Sequence, residues 1–277
     1  IYSCKIISYA LFLLHNPGLY DVELWITELY KKIFDSSTRD ADIFQSRNWV
    51  GSPYYIKNGY FKQFIFEMTK IKSKNDIDIF NLNMILIRYT LSLLLATRDF
   101  RNSCNLIDYS KSFQLLTIQE KSKNIYQSKR LIPLTNRANK IIQNFYILKE
   151  KYNISSYSPI LLTNDGQEKD INKKNIKVFL SSLDTEIYQE SILFIENFIS
   201  NIKLNFGRHV VTSFLSSTNI DKKYVDSFLN HFKMGTEDQG IYSNFNNQDY
   251  INTIMAKIDE IETNYMPSYI KVGDYDY

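Results

Sequence analysis

The spacing of apolar side chains predicts a chain built mainly of helices. The clearest helical period covers residues 80–97, where Leu82, Ile85, Leu86 and Tyr89 recur at intervals that place them on one side of a helix. Proline and glycine pairs and clusters of polar residues separate this helix from others. Further helical patterns cover residues 1–35, 60–71, 135–152, 176–183, 186–201 and the segment that begins at Asp249.

Two short apolar segments near the middle of the chain predict an antiparallel β-hairpin. Residues 113–118 have the composition of a strand, residues 121–124 are polar and turn-like, and residues 130–134 form the second predicted strand. Asn164-Asp165-Gly166 predicts a further tight turn. The predicted fold class is therefore mainly α with a small antiparallel β-hairpin sheet.

Shifts in polarity divide the chain into three predicted parts. Residues 70–78 are rich in charge and predict a linker. They separate a helical N-terminal portion, residues 1–75, from a larger domain, residues 76–262. The tyrosine-rich segment 263–277 has no clear period and is expected to form a loose arm. The N-terminal portion is interpreted either as a truncated DNA-binding region or as the first helices of the larger domain.

The bulk composition allows substantial cores but assigns no partner. The chain has 277 residues and 44% hydrophobic content, enough for one large or two modest domains. Its net charge of +3 would indicate nucleic acid only if positive charge were gathered on one face. Cys4 and Cys104 lack metal-ligand spacing, which predicts reduced thiols in a cytosolic protein. No apolar run reaches the roughly 18 residues of a membrane span, so no membrane partner is predicted.

Candidate chemistry is concentrated between Asn205 and Tyr242. This stretch contains Arg208 and His209 in consecutive positions, then His231, then Tyr242, all within about one helix-loop-helix. An arginine, two histidines and a tyrosine at this spacing predict a site that attacks a phosphodiester with a tyrosine. His209 is interpreted as a structural residue.

The chemistry of phosphodiester attack assigns a role to each candidate. Arg101 and Arg208 are predicted to bind the nonbridging oxygens with paired hydrogen bonds, which lysine cannot form. Lys121, in the predicted hairpin, is the candidate acid that protonates the leaving oxygen. Tyr242 is the predicted nucleophile, and His231 orients the phosphate or helps to remove the phenol proton.

The order of these motifs resembles the catalytic domain of the tyrosine recombinase and phage integrase family over residues 80–262. The resemblance implies cleavage of DNA one strand at a time through a 3′-phosphotyrosyl intermediate, with rejoining to a partner strand. It also implies a homo-tetramer on paired double-stranded DNA sites, no metal or nucleotide cofactor, and a cytoplasmic, nucleoid-associated protein. The matching motifs are Ala96-Thr97 with Arg101, Lys121 followed by Arg130-Leu131-Ile132-Pro133-Leu134, Gly207-Arg208-His209, Leu229-Asn230-His231, and Tyr242.

Several positions depart from the family pattern and leave alternatives open. Arg98 competes with Arg101 for the first arginine, Lys123 is second choice to Lys121, and Tyr250 is a rival to Tyr242 as nucleophile. Asn205 stands where the family usually has a histidine; an asparagine side chain binds a phosphate oxygen but moves no proton. The alternative function is accordingly a catalytically inactive DNA-binding protein of the same fold.

Overall fold

The computed structural model describes residues 58–97, 104–120, 129–183, 185–202, 205–229 and 247–277. Within these ranges the protein is mainly helical with small antiparallel sheets, which confirms the coarse fold class expected from the sequence. The helices are α1 (Asn58–Lys70), α2 (Asp76–Leu94), α3 (Asn136–Lys151), α4 (Lys173–Ser182), α5 (Thr185–Asn201), α6 (Phe206–Ser217), α7 (Lys222–Leu229) and α8 (Asn247–Tyr265). The strands are β1 (Cys104–Ser110), β2 (Leu115–Glu120), β3 (Lys129–Pro133), β4 (Ile160–Leu162), β5 (Glu168–Asp170), β6 (Lys271–Val272) and β7 (Tyr275–Asp276).

Helix α2 forms the centre of this part of the protein. The Asn75 side chain caps its N-terminus by accepting a hydrogen bond of 3.0 Å from the Ile77 N–H. Asp76 and Asp78 add negative charge at the positive end of the helix dipole. All residues from Phe80 to the end of the helix are buried, because α3, α6 and β4 pack around it. A helix with apolar residues on all sides is typically buried in a core.

Helix α2 is also the one described helix that is long and apolar enough to cross a membrane. Its mean hydropathy is 1.3 over an 18-residue window, but 83% of that window is buried inside the fold. The length and composition are therefore explained by its position in the core.

Helix α2 ends at a residue in the left-handed conformation. Ala96 has a φ of 47°, and its N–H donates to the Leu93 carbonyl over 3.3 Å. The Thr97 N–H donates to the Ser92 carbonyl over 3.3 Å. These two bonds form a Schellman motif, which satisfies carbonyls that the end of a helix leaves open. The motif stops the helix and redirects the chain just before residues 98–103, which include Arg101 and lie outside the described residues.

The predicted hairpin is confirmed as strands β2 and β3 of a three-stranded antiparallel sheet. Ile118 pairs with Arg130 across this hairpin. Strand β1, which the sequence did not predict, pairs with the other edge of β2 and places Cys104 opposite Glu120. Phe113 lies in the turn before β2 and is 78% exposed, so the predicted first strand began two residues too early.

Helix α1 packs within the same compact unit as the later helices, residues 54–277. The Phe64 ring is fully buried and stacks on Phe198 of α5, with centroids 4.2 Å apart. The Glu67 carboxylate accepts a hydrogen bond of 2.7 Å from the Ser191 hydroxyl of α5. Residues 1–57 lie outside the described residues, so the division near residue 75 and the DNA-binding role of residues 1–75 stay predictions.

Two buried asparagines of α2 hold the smaller sheets against the core. The Asn81 amide donates to the Leu162 carbonyl (2.9 Å) and accepts from the Leu162 N–H (2.7 Å), so it pairs with β4 as a neighbouring strand would. Asn83 accepts a hydrogen bond from the Tyr277 hydroxyl. Since buried polar groups without partners are costly, these bonds fix where β4 and the C-terminal hairpin dock.

The C-terminal residues close the core, and the expectation of a loose arm is wrong. Strands β6 and β7 form a hairpin, and the Asn144 amide of α3 donates to the Asp276 carbonyl over 2.7 Å. The sequence did not reveal this because the buried positions follow neither a helical nor a strand period. Those buried apolar residues are Met266, Ile270, Val272 and Tyr277.

Candidate functional site

Two of the six predicted site residues, Asn205 and Arg208, lie within the described structure, both at the start of α6. The other four lie outside the described residues and remain predictions, as do the alternatives Arg98 and Lys123. Those four are Arg101, Lys121, His231 and Tyr242.

Gly207 brings the start of α6 against the backbone of α2. A Cβ atom at position 207 would lie 1.8 Å from the Ser92 carbonyl oxygen and 2.7 Å from the Leu93 nitrogen. These distances are far inside van der Waals contact, so only a glycine permits this approach. The close approach sets the position of the next residue, Arg208, relative to the C-terminal end of α2.

Asn205 precedes α6 in a left-handed conformation, with φ of 62° and ψ of 21°. Its carbonyl accepts the His209 N–H over 3.1 Å, while its side chain makes no capping hydrogen bond to the helix. Asparagine adopts this conformation more readily than most residues. The side chain is half-buried three residues before Arg208, which is compatible with a binding role beside it.

Arg208 is buried, with 9% of its surface exposed, and its Nη2 donates a hydrogen bond to the carbonyl of Leu229 at the end of α7. The neighbouring His209 is exposed, because successive residues of a helix point in different directions. A guanidinium carries five N–H donors, and the bond to the Leu229 carbonyl uses one of them. The structure thus places a buried positive charge at the end of the helix that precedes His231.

Arg130 lies beside this point and was not identified from the sequence as a site residue. It is 5% exposed, and its Nη2 donates to the carbonyls of Leu95 (2.6 Å) and Ala96 (3.0 Å). Its Nη1 donates to the carbonyl of Phe228. Arg130 therefore joins the C-terminal end of α2 to the C-terminal end of α7.

A signal for this role was present in the alternation of strand β3. Arg130 and Ile132 share one face of the strand, whereas Leu131 points to the other and is 52% exposed. An arginine on the same face as a buried isoleucine is an inward-facing charge, which requires hydrogen-bonding partners. The partners themselves are distant in sequence, so the pattern could not identify them.

Three of the candidates outside the described residues, Arg101, Lys121 and His231, lie within three residues of a described chain end. Cys104 of β1 pairs with Glu120 of β2. Arg101 lies three residues before Cys104, and Lys121 directly follows Glu120. His231 follows Leu229, the residue that Arg208 binds, by two residues. Because a residue adds at most about 3.6 Å to the reach of a chain, these sequence distances are short.

Tyr250, the alternative nucleophile, lies in the first turn of α8 and is 7% exposed. Burial raises the pKa of its phenol to about 12, against smaller lowering effects of a Ser227 hydrogen bond and the Arg130 charge. Its ring makes an edge contact with Tyr224, at a centroid distance of 5.8 Å. A raised pKa disfavours the phenolate that attack on phosphorus requires, so these features favour a core role for Tyr250.

Among the described residues, no group of three or more histidine, cysteine, aspartate or glutamate side chains is placed to hold a metal ion. No protein-family model matches the chain, and no curated protein sequence matches it.

Proposed function

We propose that the protein is a site-specific DNA recombinase or integrase that cleaves and rejoins DNA through a 3′-phosphotyrosyl intermediate. The observation that supports the proposal most directly is the position of Arg208. It is buried beside Leu229, two residues before His231, and next to the helix ends that Arg130 joins. The short connections to Arg101 and Lys121 favour a site assembled from these segments.

In the proposed reaction the Tyr242 phenolate attacks phosphorus, and the bond to the 5′ oxygen of the next nucleotide breaks. His231 receives or directs the phenol proton, and Lys121 donates a proton to the leaving 5′ oxygen. Arg101 and Arg208 bind the nonbridging oxygens, whose negative charge grows in the transition state. The phosphotyrosyl bond conserves the energy of the phosphodiester, so attack by the 5′ hydroxyl of a partner strand reverses the step.

The partner in this proposal is double-stranded DNA, bound by a homo-tetramer. A buried guanidinium suits the task because its planar fork donates paired hydrogen bonds to a phosphate, whereas an ammonium acts as a point charge. A fixed cation also costs little reorganisation when charge develops on the phosphate.

The decisive test is capture of a covalent adduct. The full chain would be incubated with a pool of end-labelled duplexes that carry a randomised central window and single nicks. Cleavage near a nick releases a short fragment with the 5′ hydroxyl, and the loss of this fragment prevents rejoining and traps the intermediate. We expect a labelled adduct that survives denaturing electrophoresis, and Tyr242→Phe abolishes it because the attacking oxygen is gone.

Two tyrosine variants serve as controls for this experiment. Tyr269→Phe removes a phenol that is 65% exposed and should leave the adduct unchanged. Tyr250→Phe separates the rival nucleophile from the proposed one. An adduct that persists in Tyr242→Phe but disappears in Tyr250→Phe would reassign the nucleophile, and the absence of any adduct from the wild type would contradict the proposed activity.

The second candidate function is a DNA-binding protein of the same fold that does not cleave. Asn205 favours it, because a side chain without an ionisable proton occupies the position three residues before the buried arginine. Salt-sensitive binding to the duplex pool without an adduct would support this function.

A further inference from the structure

Arg130 binds the C-terminal ends of two helices with one buried guanidinium. Helix C-termini leave their last carbonyls without intrahelical partners and carry the negative end of the helix dipole. Leu95 and Ala96 belong to the end of α2, and Phe228 is the second-last residue of α7. The guanidinium carbon also lies 5.6 Å from the centre of the Phe228 ring. The contact is therefore suited to a planar cation.

After these two helix ends the chain continues into segments that contain the predicted site residues Arg101 and His231 and lie outside the described residues. Arg101 follows Ala96 by five residues, and His231 follows Phe228 by three. Arg208 binds the carbonyl of Leu229, directly next to the carbonyl that Arg130 binds. Two arginines thus hold consecutive carbonyls at the end of α7, and one of them also holds α2.

Stability alone does not account for a guanidinium at this position. Removing an arginine from water is costly, and apolar side chains of similar volume often stabilise a core as well or better. What an apolar side chain cannot do is fix the direction and separation of two helix ends through hydrogen bonds to both. A lysine is also a poor substitute, since its single ammonium lacks the rigid fork that spans two acceptors.

We infer that Arg130 is a positioning residue of the proposed site, because its guanidinium joins the ends of α2 and α7 and so fixes the end of α7 whose Leu229 carbonyl Arg208 binds. This inference rests on the proposed function. Arg130 acts through these two helix ends and contacts no DNA itself.

The test compares Arg130→Lys, which keeps the charge, with Arg137→Lys. Arg137 provides a matched control because its guanidinium also donates to two main-chain carbonyls, of Pro267 (2.9 Å) and Ser268 (2.8 Å), which belong to neither α2 nor α7. For each full-chain variant, three quantities are measured: the melting temperature, the affinity for the duplex pool selected by the wild type, and the adduct-formation rate at saturating DNA. Hydrogen exchange is followed in peptides that cover residues 93–97 and 225–229.

We expect Arg130→Lys to slow adduct formation about 100-fold at saturating DNA, since misplacing a reacting group by about 1 Å has an effect of this size. DNA affinity should stay unchanged, and hydrogen exchange should rise in both peptides while the protein remains folded. Arg137→Lys should change neither the rate nor these peptides.

Three results would overturn the inference. An unchanged adduct rate in Arg130→Lys, or a rate that falls only in proportion to the folded fraction, would leave Arg130 a purely structural residue. Equal loss of affinity and rate would assign it to DNA binding. If the wild type forms no adduct, the proposed function fails first, and faster exchange in Arg130→Lys would then identify Arg130 only as a link between two helix ends.

Discussion

Replacing Gly207 with alanine is expected to destabilise the protein by about 3 kcal/mol or more, because overpacking at a rigid contact is seldom relieved cheaply. The added Cβ would lie 1.8 Å from the Ser92 oxygen and 2.3 Å from the Ser92 carbon, both main-chain atoms. Neither atom can rotate away, so α6 must shift relative to α2. The shift moves Arg208 from Leu229, and the adduct should disappear even where the variant remains folded.

Chemical denaturation of Gly207→Ala and the wild type measures the loss of stability, and adduct formation at low temperature measures the loss of function. Gly59→Ala is the matched control, because within the described part of the chain no atom lies within 4 Å of the position that its Cβ would occupy in helix α1. It should change the free energy of unfolding by less than about 1 kcal/mol, because Gly59 lies in the first turn of α1. Equal effects of the two substitutions would refute the close-approach explanation.

The second large effect concerns Glu262, whose carboxyl group is buried between α8 and the start of α3. Burial raises its pKa to about 7 from an ordinary value of 4.5, although a hydrogen bond from Thr135 and the charge of Arg137 lower it and Asp259 raises it further. The Thr135 hydroxyl oxygen in turn accepts the Ala138 N–H over 3.1 Å, which caps α3. The protonation state of Glu262 in α8 is thus linked, through Thr135, to the N-terminal cap of α3.

Glu262 should make the protein less stable as pH rises. Below about pH 4.5 the group is protonated in both folded and unfolded states, so its favourable contribution is fully present. Between pH 4.5 and 7 the unfolded chain loses the proton while the folded chain retains it, and this contribution is lost through pH 7. The total loss is about 3 kcal/mol, because each pKa unit corresponds to about 1.4 kcal/mol.

The measurement is the free energy of unfolding from pH 4 to pH 8 for the wild type and Glu262→Gln. As pH rises across this range, the free energy of unfolding of Glu262→Gln should increase relative to that of the wild type. Glutamine keeps the acceptor for Thr135 and carries no charge. Glu260→Gln is the control, because Glu260 is exposed on the same helix and pairs with Lys257. Parallel curves for wild type and Glu262→Gln would contradict the assignment.

The sequence predicted the parts of the fold that depend on local periodicity. Residues 80–97 contain a strong apolar helical period and correspond to α2, and the β2–β3 hairpin follows from two apolar strands around a polar turn. Strand β1 was missed because its apolar residues are few and lie between polar ones. The C-terminal hairpin was missed because its stability comes from α2 and α3, far away in sequence, through Asn83 and Asn144.

The candidate site also combines residues that a local sequence pattern predicts with residues whose role depends on distant contacts. Arg208 was identified from its place in a motif, and the structure adds its burial and its contact with Leu229. The partners of Gly207 and Arg130 could not be predicted from the sequence, because they are backbone atoms of helices distant in the chain.

Identifying the residue that becomes linked to DNA distinguishes a recombinase from a protein that only binds DNA. The trapped adduct would be digested with nuclease and protease, and tandem mass spectrometry would locate the tyrosine that carries the remaining nucleotide. We expect a 3′-phosphotyrosyl bond at Tyr242. A nucleotide on Tyr250, on another residue, or on no residue of a protein that nevertheless binds DNA would contradict it.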